Sequence, residues 1–302
     1  MDMKKYRLFS LVLFSIVISF TSCEKDIALT PNENFVPSGD DSNNSGAANG
    51  GGNSGPVSNL TVQKRQRAVV TYVGATWCPP CGAYGDPTKI HMETAHGSDV
   101  IILNVQSGDA ISSQGAFGPT FGRAFQTFAN SSSIPYAYWS GANFTMVYRG
   151  FYTSANSNNS AADQDINSIK GDSPEIGVAA KAVVSGDSIK VETLTKFYSA
   201  TTDAYIGVYI LEDGVEASQK ISGSPDAITS HENVVRGAAF VGNDLGIQSL
   251  GNAFAVDQQV IGNYSIAIPS TVLDKTKLQV AVVVWESENA DGISNGILVD
   301  AD

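Results

Sequence analysis

The chain is poor in the residues that staple exported proteins or bind metals. Its 302 residues hold three cysteines and three histidines. So few cysteines exclude a disulfide framework, and the folded part is held by its core. His91, His96 and His231 show no metal-ligand spacing with the cysteines, whereas a structural zinc site takes about four ligands. No metal and no cofactor are expected. Basic residues are outnumbered, 18 Lys and Arg against 30 Asp and Glu, for a formal charge of −12. That acidity disfavours nucleic acid and anionic membrane surfaces as partners. Long apolar runs are scarce too: the one from Leu8 to Phe20 is too short to span a bilayer comfortably.

What is present begins with a leader. Lys4, Lys5 and Arg7 precede the apolar run, which ends in Thr21-Ser22-Cys23. This is the pattern of a secretory signal. A cysteine directly behind a small residue resembles a lipobox, which implies cleavage before Cys23 and a lipid on it; the plain alternative is an ordinary signal in which Cys23 is incidental. Residues 24–60 then read as a flexible linker, for Thr30 to Ser58 is almost all Asn, Ser, Gly, Pro and Asp. Such a segment buries too little apolar surface to offset its ordering entropy.

The chemistry is concentrated in Thr76-Trp77-Cys78-Pro79-Pro80-Cys81. Two cysteines separated by two residues, on a turn entering a helix, bring their sulfurs within reach of a reversible disulfide. The apolar, β-branched run Ala68 to Val73 reads as a buried strand leading into that turn. At the helix N-terminus, unpaired N–H groups and the macrodipole favour a thiolate on Cys78, making it the attacking sulfur, with Cys81 resolving. Pro79 and Pro80 suit a first helical turn but remove two donors. The Cys81 N–H is then the principal local stabiliser, and only a moderate fall in the Cys78 pKa is expected.

Trp-Cys-Pro-Pro-Cys behind a hydrophobic strand resembles the active site of the thioredoxin superfamily, and Ala75-Thr76-Trp77-Cys78 resembles its membrane-tethered, TlpA-like branch. The resemblance implies a cis-proline facing the cysteines, for which Ser133-Ile134-Pro135-Tyr136 is the candidate. It also implies that Trp77, Pro79, Pro80, Ile134 and Pro135 shape the surface that meets substrate. One departure is visible: Tyr72 stands six residues before Cys78, where thioredoxin carries a buried aspartate.

The order of elements after the linker predicts an α/β thioredoxin-like domain over 61–171. Pro87 to His96 reads as helix, Val100 to Val105 as a strand buried on both faces, and Phe117 to Ala129 as helix with Phe121, Phe125 and Phe128 at helical spacing. Tyr136–Gly141 and Phe144–Tyr148 read as an antiparallel pair, and Ala161–Ile169 as a closing helix. From 172 to 302 the pattern alternates with period two, predicting an all-β, immunoglobulin-like sandwich in which Tyr205–Leu211 and Leu278–Trp285 are central. Leader, thioredoxin-like region and a sandwich carrying Ser230-His231-Glu232-Asn233-Val234-Val235-Arg236 together resemble the Bacteroidota outer-membrane lipoproteins related to the twenty-eight-kilodalton outer-membrane protein. For His231 and Arg236 a structural bond at a strand end is favoured over ligand binding.

The leading expectation is a lipid-anchored thiol-disulfide oxidoreductase of the cell envelope, acting on protein thiols or disulfides and held to the outer membrane by Cys23. The rival is a non-enzymatic surface lipoprotein in which the thioredoxin fold is a scaffold and the sandwich binds a partner. A third reading, copper binding by the cysteine pair, lacks a matching histidine, with His91 the nearest candidate.

Overall fold

In the computed structural model of the protein, the described residues are 59–108, 111, 121–125, 127, 133–140, 146–151, 153–289 and 292–302. The leader with Cys23, the linker to Ser58, and Phe117, Phe128 and Phe144 of the expected elements lie outside them.

Strand β1 (Ala68–Gly74) is buried along its whole length and pairs in parallel with β2 (Val100–Gln106), from Ala68↔Val100 to Gly74↔Gln106. Parallel strands need a crossover, supplied here by a π-helical turn (Cys81–Gly85) that runs into α1 (Asp86–His96). Pro87 suits the first turn of α1, and Gly97, at φ 51°, ends it by returning its N–H to the Glu93 carbonyl. On the other side of β1 lies β3 (Tyr136–Ser140), antiparallel, and beyond it β4 (Met146–Gly150). The closing helix α2 (Ala155–Gly171) is longer than the sequence suggests, because Ser154 caps it by accepting the Ser157 N–H. Polar residues Asn156 to Ser160 hide this first turn from apolar periodicity. Ala162, Ile166 and Ile169 of α2 and Met92 of α1 cover Ala68, Val70, Tyr72 and Ile102 on one face of the four strands.

The remaining chain is nearly all strand: β5 (Ile176–Ser185), β6 (Ser188–Phe197), β7 (Thr201–Glu212), β8 (Val215–Ile221), β9 (Ser224–His231), β10 (Val234–Ala238), β11 (Ile247–Phe254), β12 (Gln259–Ala267), β13 (Leu278–Trp285) and β14 (Ile293–Asp300). The protein is thus mostly β-sheet with few helices. Strands from both sides of the 171/172 boundary share one sheet, in the order β14-β13-β7-β10-β2-β1-β3-β4, with β11 also pairing β7. The joint is the single register pair Val234↔Asn104, at which the Asn104 N–H donates to the Asn233 carbonyl (3.0 Å). A second sheet, β12-β6-β5, packs on the far part of the first.

Period-two alternation decides which core each residue enters. Ile206, Val208, Ile210, Val280, Val282 and Val284 point to the three-stranded sheet. Their neighbours Tyr209, Leu211, Ala281, Val283 and Trp285 point the other way, into a core shared with Val69, Val73, Ile101, Leu103, Phe121 and Phe125. Strands β7 and β13 are apolar on both faces because both faces are covered.

Candidate functional site

The site sits where β1 ends. Its last residue, Gly74, accepts the Ser107 N–H (2.8 Å), and the following turn is closed by the Cys78 N–H donating to the Ala75 carbonyl (3.2 Å). Helical backbone begins at Pro79, so both prolines occupy first-turn positions where no N–H is required. Cys78 and Cys81 are joined as a disulfide, their Cα atoms 5.3 Å apart. The Cys81 N–H points back at Cys78, its nitrogen 3.0 Å from the carbonyl oxygen and 3.2 Å from Sγ. A thiolate on Cys78 would have this donor directly beside it.

Trp77 is 53 % exposed, yet its indole N–H is fixed to the Ser107 carbonyl at 3.0 Å. It is a rigid aromatic surface next to the cysteines. The Ile134–Pro135 peptide bond is cis. The Ile134 carbonyl oxygen is 3.8 Å from Cys78 Sγ, and its side chain packs on Ala75, Cys78 and Cys81. Pro135 approaches the helical segment so closely that a Cβ on Gly85 would come to 2.7 Å from Pro135 Cβ and strike the Tyr72 hydroxyl. Folding therefore brings together Trp77, Cys78, Pro79, Pro80, Cys81, Ile134 and Pro135; Cys23 lies outside the described residues.

Three features have no signal in the sequence. First, the Tyr72 hydroxyl donates to Asp86 Oδ1 (3.0 Å). Tyr72 is wholly buried, and burial, then the charge of Asp86 and this bond, push its pKa well above the usual phenol value. A carboxylate is thus present behind the motif after all, supplied by the first turn of α1 and not by β1. Second, the β8–β9 hairpin lies on the motif. The Lys220 N–H donates to the Thr76 carbonyl (2.8 Å), the Ser222 N–H to the Pro79 carbonyl (3.0 Å), and the Gln219 amide to the Ala75 and Cys78 carbonyls (3.2 Å each). Third, Cys78 is buried along with Cys81.

Elsewhere the polar groups are structural. His231 is buried with Nε2 3.0 Å from Thr229 Oγ1. Arg236 donates through Nε to Glu212 Oε2 (2.7 Å) and through Nη1 to the Ile111 carbonyl (2.8 Å); Glu212 Oε1 accepts the Leu273 and Asp274 N–H groups. His91 and His96 both reach Asp163, at 2.9 and 2.8 Å. Among the described residues no group of three His, Cys, Asp or Glu is placed to hold a metal ion. No helix among them is long and apolar enough to cross a membrane.

No family model matches this chain, and no curated protein does. Solved structures match in fold. HBP35 of Porphyromonas gingivalis superposes with a TM-score of 0.59 at 14% identity, over 80% of this chain and 77% of that one. A domain of the outer membrane lipoprotein Omp28 from Porphyromonas gingivalis is similar over 42% of this chain and 96% of its own, at 16% identity and a TM-score of 0.28. A DUF3823 family protein from Bacteroides ovatus follows at 18% identity and 0.25, over 43% of this chain and 56% of that one. At these identities the first match establishes a shared fold across four-fifths of the chain. HBP35 and the Omp28 domain both come from Porphyromonas gingivalis, and the second is named as part of an outer membrane lipoprotein.

Proposed function

We propose that this chain is a lipid-anchored protein of the bacterial cell envelope, thioredoxin-like over 61–171 and an immunoglobulin-like sandwich over 172–302, whose Cys78–Cys81 pair exchanges disulfides with protein substrates. The observation that carries this reading is the disulfide itself, formed at a strand-to-helix turn 3.8 Å from the carbonyl that precedes a cis-proline. The order β2-β1-β3-β4, with two helices on one face, supports the thioredoxin-like assignment. The two sheets that enclose an aliphatic core support the sandwich. The lipobox at Cys23 and the named neighbours support an anchored, outer-membrane location.

In the reducing direction the Cys78 thiolate attacks one sulfur of a substrate disulfide. That S–S bond breaks, a mixed disulfide forms and one substrate thiolate leaves. Cys81, deprotonated, then attacks Cys78 Sγ, the mixed disulfide breaks, and the second substrate thiolate leaves as the Cys78–Cys81 bond forms. Two electrons pass to the substrate. Run backwards, a substrate dithiol reduces the pair and is itself oxidised. The Cys81 N–H beside Cys78 Sγ stabilises the attacking thiolate, and Tyr72 with Asp86 forms the polar floor of an otherwise apolar site.

A second reading has an observation of its own: both cysteines are buried, as suits a scaffold whose disulfide is structural and whose sandwich binds the partner. Equilibration of the chain lacking residues 1–23 in glutathione and dithiothreitol buffers decides between the two, with Cys78→Ser as control. The redox reading expects a reversible two-electron couple between thioredoxin-like and oxidase-like potentials, about −270 to −120 mV. A disulfide that stays closed throughout that range leaves the scaffold.

A further inference from the structure

An incoming thiolate has to approach a disulfide along its S–S axis, so access to the attacked sulfur enters the rate directly. Cys78 is 3 % exposed, although its neighbour Trp77 is open to solvent. The β8–β9 hairpin occupies the backbone around the cysteine: of the five carbonyls from Ala75 to Pro79, those of Ala75, Thr76, Cys78 and Pro79 each accept a bond from Gln219, Lys220 or Ser222. The fit is close, since a Cβ on Gly82 would run into the Lys220 carbonyl and come within 2.8 Å of Gln219 Cγ.

The same hairpin is tied to little else. β8 and β9 form a two-stranded sheet of their own, joined to neither large sheet. Such a hairpin alone is marginally stable in water. Most of β9 is exposed, Ile228 included, and the hairpin is rooted where Val215 packs on Ile111 and Val234. Its hold on the motif centres on Gln219, which is buried and spans two motif carbonyls. Gln219 Oε1 is buried as well, and among the described residues it meets no donor. An unsatisfied acceptor weakens the closed state. Root, latch and weak point together describe a part that can swing away without opening a sheet.

We infer that the β8–β9 hairpin is a cover on the Cys78–Cys81 disulfide, latched by Gln219, and that the pair exchanges with a substrate only while the hairpin is lifted. Gln219 is a positioning residue. The consequence for catalysis rests on the redox reading above; the cover itself does not. It also supplies specificity, because a protein substrate has to displace Lys220 and Ser222 from the Thr76 and Pro79 carbonyls.

The test is chemical reduction by dithiothreitol, followed by alkylation and mass. One dithiothreitol thiolate attacks Cys78 Sγ, Cys81 leaves as thiolate, and the second thiol closes the oxidised ring and frees Cys78. With a cover, the rate on the wild-type chain reaches a plateau as dithiothreitol rises, because lifting becomes limiting. Gln219→Glu removes the donor at constant shape, and Gly82→Ala wedges the hairpin off from the other side. Both are expected to reduce about tenfold faster, the scale of one lost hydrogen bond, and to lose the plateau. Thermal unfolding of each variant separates lifting from general destabilisation, and the two variants act through different residues. A wild-type rate that stays first order in dithiothreitol and equals both variants' rates overturns the cover. A plateau without a reversible couple keeps the cover and removes the redox reading; a reversible couple without a plateau does the opposite.

Discussion

The helix-covered strands β1 to β4 share one hydrogen-bonded sheet with β7, β10, β11, β13 and β14 of the strand-covered region, yet the two regions are finished differently. In the first, one face is closed by α1 and α2, and the buried set includes Tyr72, Trp139 and Phe151, whose rings stack on one another at 6.4 to 6.5 Å. In the second, the corresponding layer is the sheet β12-β6-β5, and the core is largely aliphatic. The opposite face is common property: Phe121 meets Tyr209 at 5.2 Å and Phe125 meets Trp285 at 6.2 Å, ring to ring across the two regions. Stability is therefore shared, while the cysteine pair belongs to the first region and the hairpin that lies on it to the second. A minimal redox domain needs only the former.

This comparison breaks most severely at Trp285. Its loss in Trp285→Ala should cost about 3–5 kcal/mol and lower the urea midpoints seen by fluorescence and by far-ultraviolet circular dichroism together. Midpoints that part, with the helical signal unmoved, would show that the regions unfold independently. A smaller effect is expected at the joint. There the Asn104 amide donates to the Glu232 carbonyl (2.9 Å) and accepts from Gln106 (2.8 Å), reinforcing a strand contact only one register pair long. Asn104→Ala should cost about 1–2 kcal/mol. It should also raise amide exchange in β10 and at the hairpin root, and unchanged exchange there would argue that the joint is carried by packing alone.

The smallest effect lies inside the first region. Partial burial works to raise the pKa of Asp163, but hydrogen bonds from His96 and His91 outweigh it and hold the carboxylate below its ordinary range. A carboxylate depressed in the folded state adds stability that is complete above its unfolded pKa, near 3.9, and is lost as the pH falls through the folded value. With the side chain about a third exposed, the contribution is screened to below about 1 kcal/mol. Asp163→Asn should shift the midpoint slightly at neutral pH and flatten its decline below about pH 4. An unaltered acid decline would assign that loss to other carboxylates.

Much of this was legible along the chain. The β-branched run at 68–73 and the mostly apolar run at 100–105 read directly as buried strands, because near-continuous apolar character has meaning only when both faces are covered. Leu278–Trp285 read the same way. The helix at 155–171 was half visible: its core-facing residues are periodic, but its first turn is polar and is set by a cap. The pairing of Asp86 with Tyr72 was not legible, for nothing in the neighbours of Asp86 announces a partner fourteen residues earlier. Nor was the contact of Gln219 with the cysteine motif, since its partners lie in a distant part of the chain.

The sequence by itself determined the local terms: which segments alternate, where glycine and proline interrupt them, and that two cysteines stand one helical turn apart. These depend on backbone sterics and on neighbours three or four residues away. Only the tertiary structure decided that β10 would join β2, that Asp86 would meet Tyr72, and that Gln219 would bond carbonyls some 140 residues away in sequence. Such contacts cross long loops whose closure entropy depends only weakly on their length. They are selected by the packing of the whole chain, and no single stretch of it encodes them.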